Sequence, residues 1–149
     1  MGIRFKGARR LIVLKAFCVF SRNREILVYE KVDKKTGQAF LRPIGGKIEF
    51  GERSSEAIQR EVYEETGQKI KELKLLGVLE NIFTQAGDLH HEVDFVYDAK
   101  FANEDIYNLE RIEVREGENL YFANWKSVNE LQKSDPPFVP PDILKLLNQ

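Results

Sequence analysis

Three glutamates, Glu61, Glu64 and Glu65, stand at i, i+3 and i+4 of one short segment. At about 100° per residue on a helix, that spacing confines them to one arc of roughly 100°. Like charges at i,i+4 destabilise a helix by about 0.2–0.5 kcal/mol per pair, so the cluster asks for a cation. Glu64 has one in Arg60, four residues earlier, but Glu61 and Glu65 have no basic residue at helical spacing within the helix. These two are the carboxylates expected to bind a metal ion most tightly. Hard oxygen donors that leave water in the shell suit Mg²⁺ or Mn²⁺ better than zinc. A run of charge is more often a solvated face, but the glycines just upstream and Arg60 favour a ligand set here.

The elements that must hold these side chains are legible around them. A loop carrying Gly45, Gly46 and Gly51 runs into Ser54-Ser55, either of which could cap a helix, with Glu56 in the favourable first turn. The helix is expected to run to about Thr66, where Gly67 supplies a left-handed stop. Ala57, Ile58 and Val62 offer its apolar face. Leu11–Phe20 reads as a buried strand and Glu25–Lys31 as its partner across the turn Ser21–Arg24. A turn at Lys34–Gly37 precedes a short strand, Ala39–Arg42. Leu73–Thr84 and Glu92–Phe101 read as a long hairpin around Ala86-Gly87-Asp88. In its second arm Val93, Phe95, Tyr97, Ala99 and Phe101 form the expected buried face, against a polar face of Glu92, Asp94, Asp98 and Lys100. Phe101–Glu118 reads as acidic and irregular, Leu120–Trp125 as a strand, and Asp142–Leu147 as a last short helix opened by Pro140-Pro141. Strands outnumber helices, so periodicity alone gives an α+β or α/β chain.

Bulk properties narrow the function classes. The 149 residues are 42% hydrophobic and 32% charged, which fits one globular domain over 1–149. A net charge of −1 gives no general nucleic-acid surface and no pull toward anionic membrane. No apolar run approaches the roughly 20 residues of a membrane span, and MGIRFKGARR lacks a secretory apolar core. Cys18 is the only cysteine and lies in an apolar run, so it is expected to be a small buried side chain. A soluble, cytoplasmic protein is the default expectation.

From Gly46 the chain reads G-KIEFG-E-RSSEAIQ-RE-V-Y-EE-T-G to Gly67. This resembles the signature of the Nudix hydrolases, with Gly46, Glu52, Arg60, Glu61, Val62, Glu64, Glu65 and Gly67 in place and Gln68 where the family prefers an aliphatic. The resemblance implies the Nudix fold, a mixed β-sheet sandwiched between helices. It also implies metal-dependent hydrolysis of a nucleoside diphosphate linked to another moiety, by water attack on a pyrophosphate phosphorus. By position, Glu61 and Glu65 would ligate Mg²⁺ (or Mn²⁺), Glu64 directly or through water, and the carbonyl of Gly46 would join that shell. Glu52 would contact the metal cluster or orient the nucleophilic water, and Arg60 would tether Glu52 or steady Glu64.

Family members differ in the general base, and three carboxylates outside the signature are candidates: Glu118, Glu116 and Glu92. Where many relatives read Leu-Pro-Gly-Gly, this chain reads Arg42-Pro43-Ile44-Gly45-Gly46. Arg42 could clamp a phosphate bidentately or could be a solvated strand-edge residue. The family resemblance implies a small-molecule nucleotide substrate, and the compact format resembles the family's nucleoside triphosphate pyrophosphohydrolases, so a nucleoside triphosphate, including oxidised ones, is expected first. Dinucleoside polyphosphates, ADP-ribose or nucleotide sugars are the alternatives, as is a non-catalytic nucleotide-binding module. Phe83, Tyr97, Tyr121 and Trp125 are the aromatics that could stack on a base.

Overall fold

The computed structural model describes residues 10–147. In chain order the elements are β1 (Val13–Val19), β2 (Ser21–Arg22), β3 (Glu25–Val32), β4 (Ala39–Arg42), β5 (Ile44–Lys47), α1 (Ser54–Thr66), β6 (Ile70–Gln85) and β7 (Asp88–Phe101). A 3-10 turn at Glu104–Asn108 follows, then β8 (Arg111–Glu116), β9 (Asn119–Ser127), α2 (Val128–Leu131) and α3 (Ile143–Leu147). The strands form two sheets. The first, β5-β1-β7-β6, is mixed, because β1 runs parallel to β7 and antiparallel to β5. The second, β2-β3-β9-β8 with β4 also on β3, is antiparallel throughout. Among the described residues no helix is long and apolar enough to cross a membrane.

Helix α1 packs against β1 and β5 of the first sheet and β8 of the second. Its Ala57, Ile58 and Val62 are fully buried in one core with Cys18, Phe20, Tyr29, Phe101 and Trp125. The opposite faces of both sheets meet Leu131 of α2 and Ile143 and Leu144 of α3 in a second core. Burying an aliphatic side chain of this size contributes about 1.5–3 kcal/mol, so Ile58 and Val62 outweigh the tenths of a kcal/mol lost to repulsion among the helix glutamates. The glutamates are therefore sustained by packing along the same side of the helix, where Glu65 is buried beside Ile58 and Val62.

Four local expectations are corrected. β3 does not pair with β1: the chain crosses from one sheet to the other through β2, leaving a single bond from Leu27 N–H to the Phe20 carbonyl at 3.1 Å. Residues 16–20 are buried on both faces, which a central strand satisfies and a hairpin arm does not. The residue before α1 is Arg53, whose N–H donates to the Glu56 carboxylate at 3.3 Å, while the Ser54 hydroxyl bonds Tyr97 at 2.6 Å. Residues 101–118 are not irregular throughout, since β8 occupies Arg111–Glu116. Ile112 and Val114 are buried between exposed Arg111, Glu113 and Arg115, a period-2 pattern masked by its charges.

The fourth correction lies on β7. Glu92 is 8% exposed and Asp94 fully buried, while Val93 and Phe95 are only half-buried. Lys15 of β1, whose register partner is Asp94, bonds Glu92 at 2.7 Å. Neither Asp94 carboxylate oxygen has a hydrogen-bond partner. Burial, reinforced by Glu92 and opposed by Lys15, pushes the Asp94 carboxyl up to about 7. A carboxyl with a folded pKa above its unfolded value costs nothing below about pH 4, and its full penalty is reached above about pH 7. Asp94→Asn should therefore stabilise the protein by about 1–4 kcal/mol near pH 8 and by far less near pH 4.5. Urea unfolding at the two pH values measures the difference, and a gain of equal size at both would contradict it.

Candidate active site

The site begins where β5 lies against β1. A Cβ on Gly45 would meet the Ala16 carbonyl oxygen at 2.1 Å, so no side chain fits there. A Cβ on Gly46 would stand 2.5–2.7 Å from the three carboxyl atoms of Glu61. Glycine at this position is what lets the α1 carboxylate settle directly on the strand backbone.

Arg60 ties the loop between β5 and α1 to the helix. Its Nε and Nη2 donate to the two carboxylate oxygens of Glu52 at 2.7 and 3.0 Å. Nη1 donates to Glu61 at 3.0 Å and Glu64 at 3.2 Å, and Nη2 also reaches the Lys47 carbonyl at 3.0 Å. The Glu52 carboxylate accepts a further bond from Glu49 N–H at 3.0 Å. The bonds from Arg60, aided by that from Glu49, hold the Glu52 carboxyl down at about 2. Burial pushes Glu61 up, against the hydrogen bond and charge of Arg60.

A second group meets the first from the other sheet. Glu65 is 6% exposed, and its Oε2 is buried without a partner. Burial, then repulsion from Glu116 and Glu61, pushes this carboxyl up to about 9, against the pull of Arg42 and Lys31. Glu116 ends β8 and accepts bonds from the Tyr29 hydroxyl and, at 2.7 Å, from Lys31. Burial raises its pKa, but those two bonds and the Arg42 charge outweigh it and hold the carboxyl below its usual range. Arg42 pairs with Tyr29 across β3 and β4 and places Nη2 3.8 Å from Glu116.

The structure thus brings together Gly46, Glu52, Arg60, Glu61 and Glu64 on one side and Glu65, Arg42 and Glu116 on the other. It leaves out Glu118, exposed in the two-residue turn after β8, and Glu92, which lies on the face of the first sheet away from α1. Tyr29 and Lys31 escaped the sequence reading. Their spacing of two residues puts them on one face of β3, but only the distant pairing of β3 with β4 and β9 shows what that face meets.

The donor chemistry fits a divalent cation: oxygens only, one of them on Glu65 buried and unpartnered, with Glu61 seated over Gly46. Among the described residues no three acidic or imidazole side chains already form a cage, since Arg60 holds Glu61 and Glu64 toward itself. Glu116 also forms the inner wall of a cleft of about 400 Å³. Phe40, His90, Asn119 and Tyr121 line that cleft, and Gln85 of the β6–β7 hairpin bonds Asp33 of the β3–β4 turn beside it. Of the other aromatics, Trp125 is buried under Arg22, and Phe83 stacks on His90.

The family model for the NUDIX domain matches residues 12–147. A MutT NUDIX hydrolase from Burkholderia pseudomallei is 25% identical over 91% of this chain and 96% of its own, with a TM-score of 0.68. A NUDIX hydrolase from Nitrosomonas europaea is 19% identical over 93% and 87% of the two chains, TM-score 0.65. A mutator MutT protein from Bacillus halodurans is 21% identical over 90% and 80%, TM-score 0.59. With the family match spanning the sheets, α1 and both sides of the carboxylate cluster, the chain belongs to the Nudix hydrolases.

Proposed function

We propose that this protein is a divalent-metal-dependent pyrophosphohydrolase of nucleoside triphosphates. The observation that carries the proposal is the buried, unpartnered carboxylate of Glu65 beside Glu61 and Glu116, at a glycine whose missing side chain admits Glu61. Glu61, Glu65 and the Gly46 carbonyl would hold Mg²⁺ or Mn²⁺, with Glu64, whose side chain is 57% exposed, completing the shell directly or through water. When bound, such an ion neutralises the pyrophosphate and acidifies a coordinated water. Glu52 is immobilised by Arg60 and Glu49 N–H and serves to fix the loop. Of the three candidates for the general base, Glu116 takes the role here, because it alone faces the cluster. Its bonds from Tyr29 and Lys31 keep it ionised and ready to accept a proton from the attacking water, at some cost in base strength.

The cleft beside Glu116 supports the choice of a nucleotide. Its volume of about 400 Å³ suits one nucleoside, Tyr121 and Phe40 offer flat apolar faces, and Asn119 offers an amide to a base edge.

Four outcomes test this reading. Chelation after verified metal removal should abolish turnover, and Mg²⁺ or Mn²⁺ should restore it; full activity without metal ends the proposal. Glu65→Gln should leave the metal-free protein as stable as before or slightly more so, because burial already disfavours the ionised carboxyl and an amide replaces it without charge, while the rate falls about a hundredfold. Loss of several kcal/mol with activity intact would make Glu65 structural. Glu116→Gln should lower kcat by about 10²-fold or more, whereas Glu118→Gln and Glu92→Gln should stay within a few fold in steady-state kinetics. Tyr121→Ala should raise KM for nucleoside triphosphates more than it lowers kcat; unchanged KM removes the cleft from substrate binding.

A further inference from the structure

Arg42 is not a solvated edge residue, one of the two roles open to it from the sequence, since its side chain is only 11% exposed. Its guanidinium carbon lies 5.4 Å from the Phe17 ring centre and 5.5 Å from that of Tyr29, an apolar slot that fixes the plane of the group. From that slot Nη2 donates to the Gly45 carbonyl at 2.6 Å and stands 3.8 Å from the Glu116 carboxylate.

Glu65 of α1 and Glu116 of β8 belong to one partly dry cluster, and the arginine beside Glu116 is permanently charged. Such a cation has two opposite effects on a divalent ion arriving at the same place. It holds the carboxylates and the Gly45–Gly46 backbone in position beforehand, and it repels the incoming charge. We infer that Arg42 is a positioning residue that assembles the two halves of the ion site and sets its affinity for the ion at a deliberately lower level than the carboxylates alone would give. The inference rests on the metal-site reading above and deepens it. A site that binds its ion less tightly lets the ion arrive with a polyphosphate and leave with the product.

The test measures Mn²⁺ binding by electron paramagnetic resonance without nucleotide, on the wild-type protein, Arg42→Gln and Arg42→Lys. Arg42→Gln removes the charge and keeps a donor for the Gly45 carbonyl; it should bind Mn²⁺ about tenfold more tightly or better. Arg42→Lys keeps the charge but loses the fork; its Mn²⁺ affinity should stay within about threefold, and its kcat should fall about tenfold at unchanged KM. A phosphate clamp gives a different pattern: Mn²⁺ affinity unchanged in both variants and KM for nucleotide raised in both. A mere packing role gives equal weakening of Mn²⁺ binding in both. Either pattern overturns the inference. If Arg42→Gln does not fold, the kcat-against-KM split in Arg42→Lys decides alone. A wild-type protein that binds no Mn²⁺ fails the metal-site reading itself, and the inference with it, whereas wild-type binding without tightening in Arg42→Gln fails the inference only.

Discussion

One guanidinium holds the loop half of the site together. Arg60 reaches Glu52 twice, Glu61 and Glu64 once each, and the Lys47 carbonyl, all within 3.2 Å. Its planar fork suits this task, because arginine presents five N–H donors in fixed directions and an ammonium does not. Single ion pairs open to solvent hold little, so what orders the loop is the number of acceptors that one planar group serves at once. Without Arg60 three carboxylates would repel one another beside a glycine-rich loop that has little else to hold it. The β1–β5 ladder fixes Gly46, and this network then holds Glu61 and the loop that follows β5 against it.

The other half of the site is compensated separately. Arg42, Lys31 and the Tyr29 hydroxyl face Glu65 and Glu116, and all three come from β3 and β4 of the second sheet. Helix α1 is the element that both sheets share, so it carries Glu61 toward one group and Glu65 toward the other. The catalytic reading therefore follows from packing. Ile58 and Val62 anchor α1 between the sheets, and Glu65, one turn on from Val62 and buried with it, is delivered to the second sheet.

The sequence made the α1 unit legible because every contact there is local. Gly46, Glu52, Arg60 and Glu61 lie within sixteen residues, and spacing alone predicts that they meet. Gly67, with φ of 73°, ends α1 where expected. The contribution of β3 and β4 was not legible, since Tyr29 and Lys31 come within bonding distance of Glu116 only through pairings 85 or more residues apart. Alternation also misled on β7. It identified one apolar face correctly, but it treated the intervening polar residues as solvated, and two of them, Glu92 and Asp94, are buried. A strand covered on both sides does not obey the rule for a strand covered on one. Charged residues hid β8 for the converse reason: its two apolar positions were too few to stand out among Arg111, Glu113 and Arg115.

The β6–β7 hairpin has a different consequence. Its two long strands carry the tip at Ala86–Gly87 out to the β3–β4 turn, where Gln85 meets Asp33 and Lys35 stands 3.8 Å from Asp88. The hydrogen bond that links β7 to α1, between Tyr97 and Ser54, lies near the other end of the hairpin. The cleft proposed to hold the nucleoside and the carboxylates proposed to hold the ion thus sit on different elements, so a change at the hairpin tip reaches the first and leaves α1 in place.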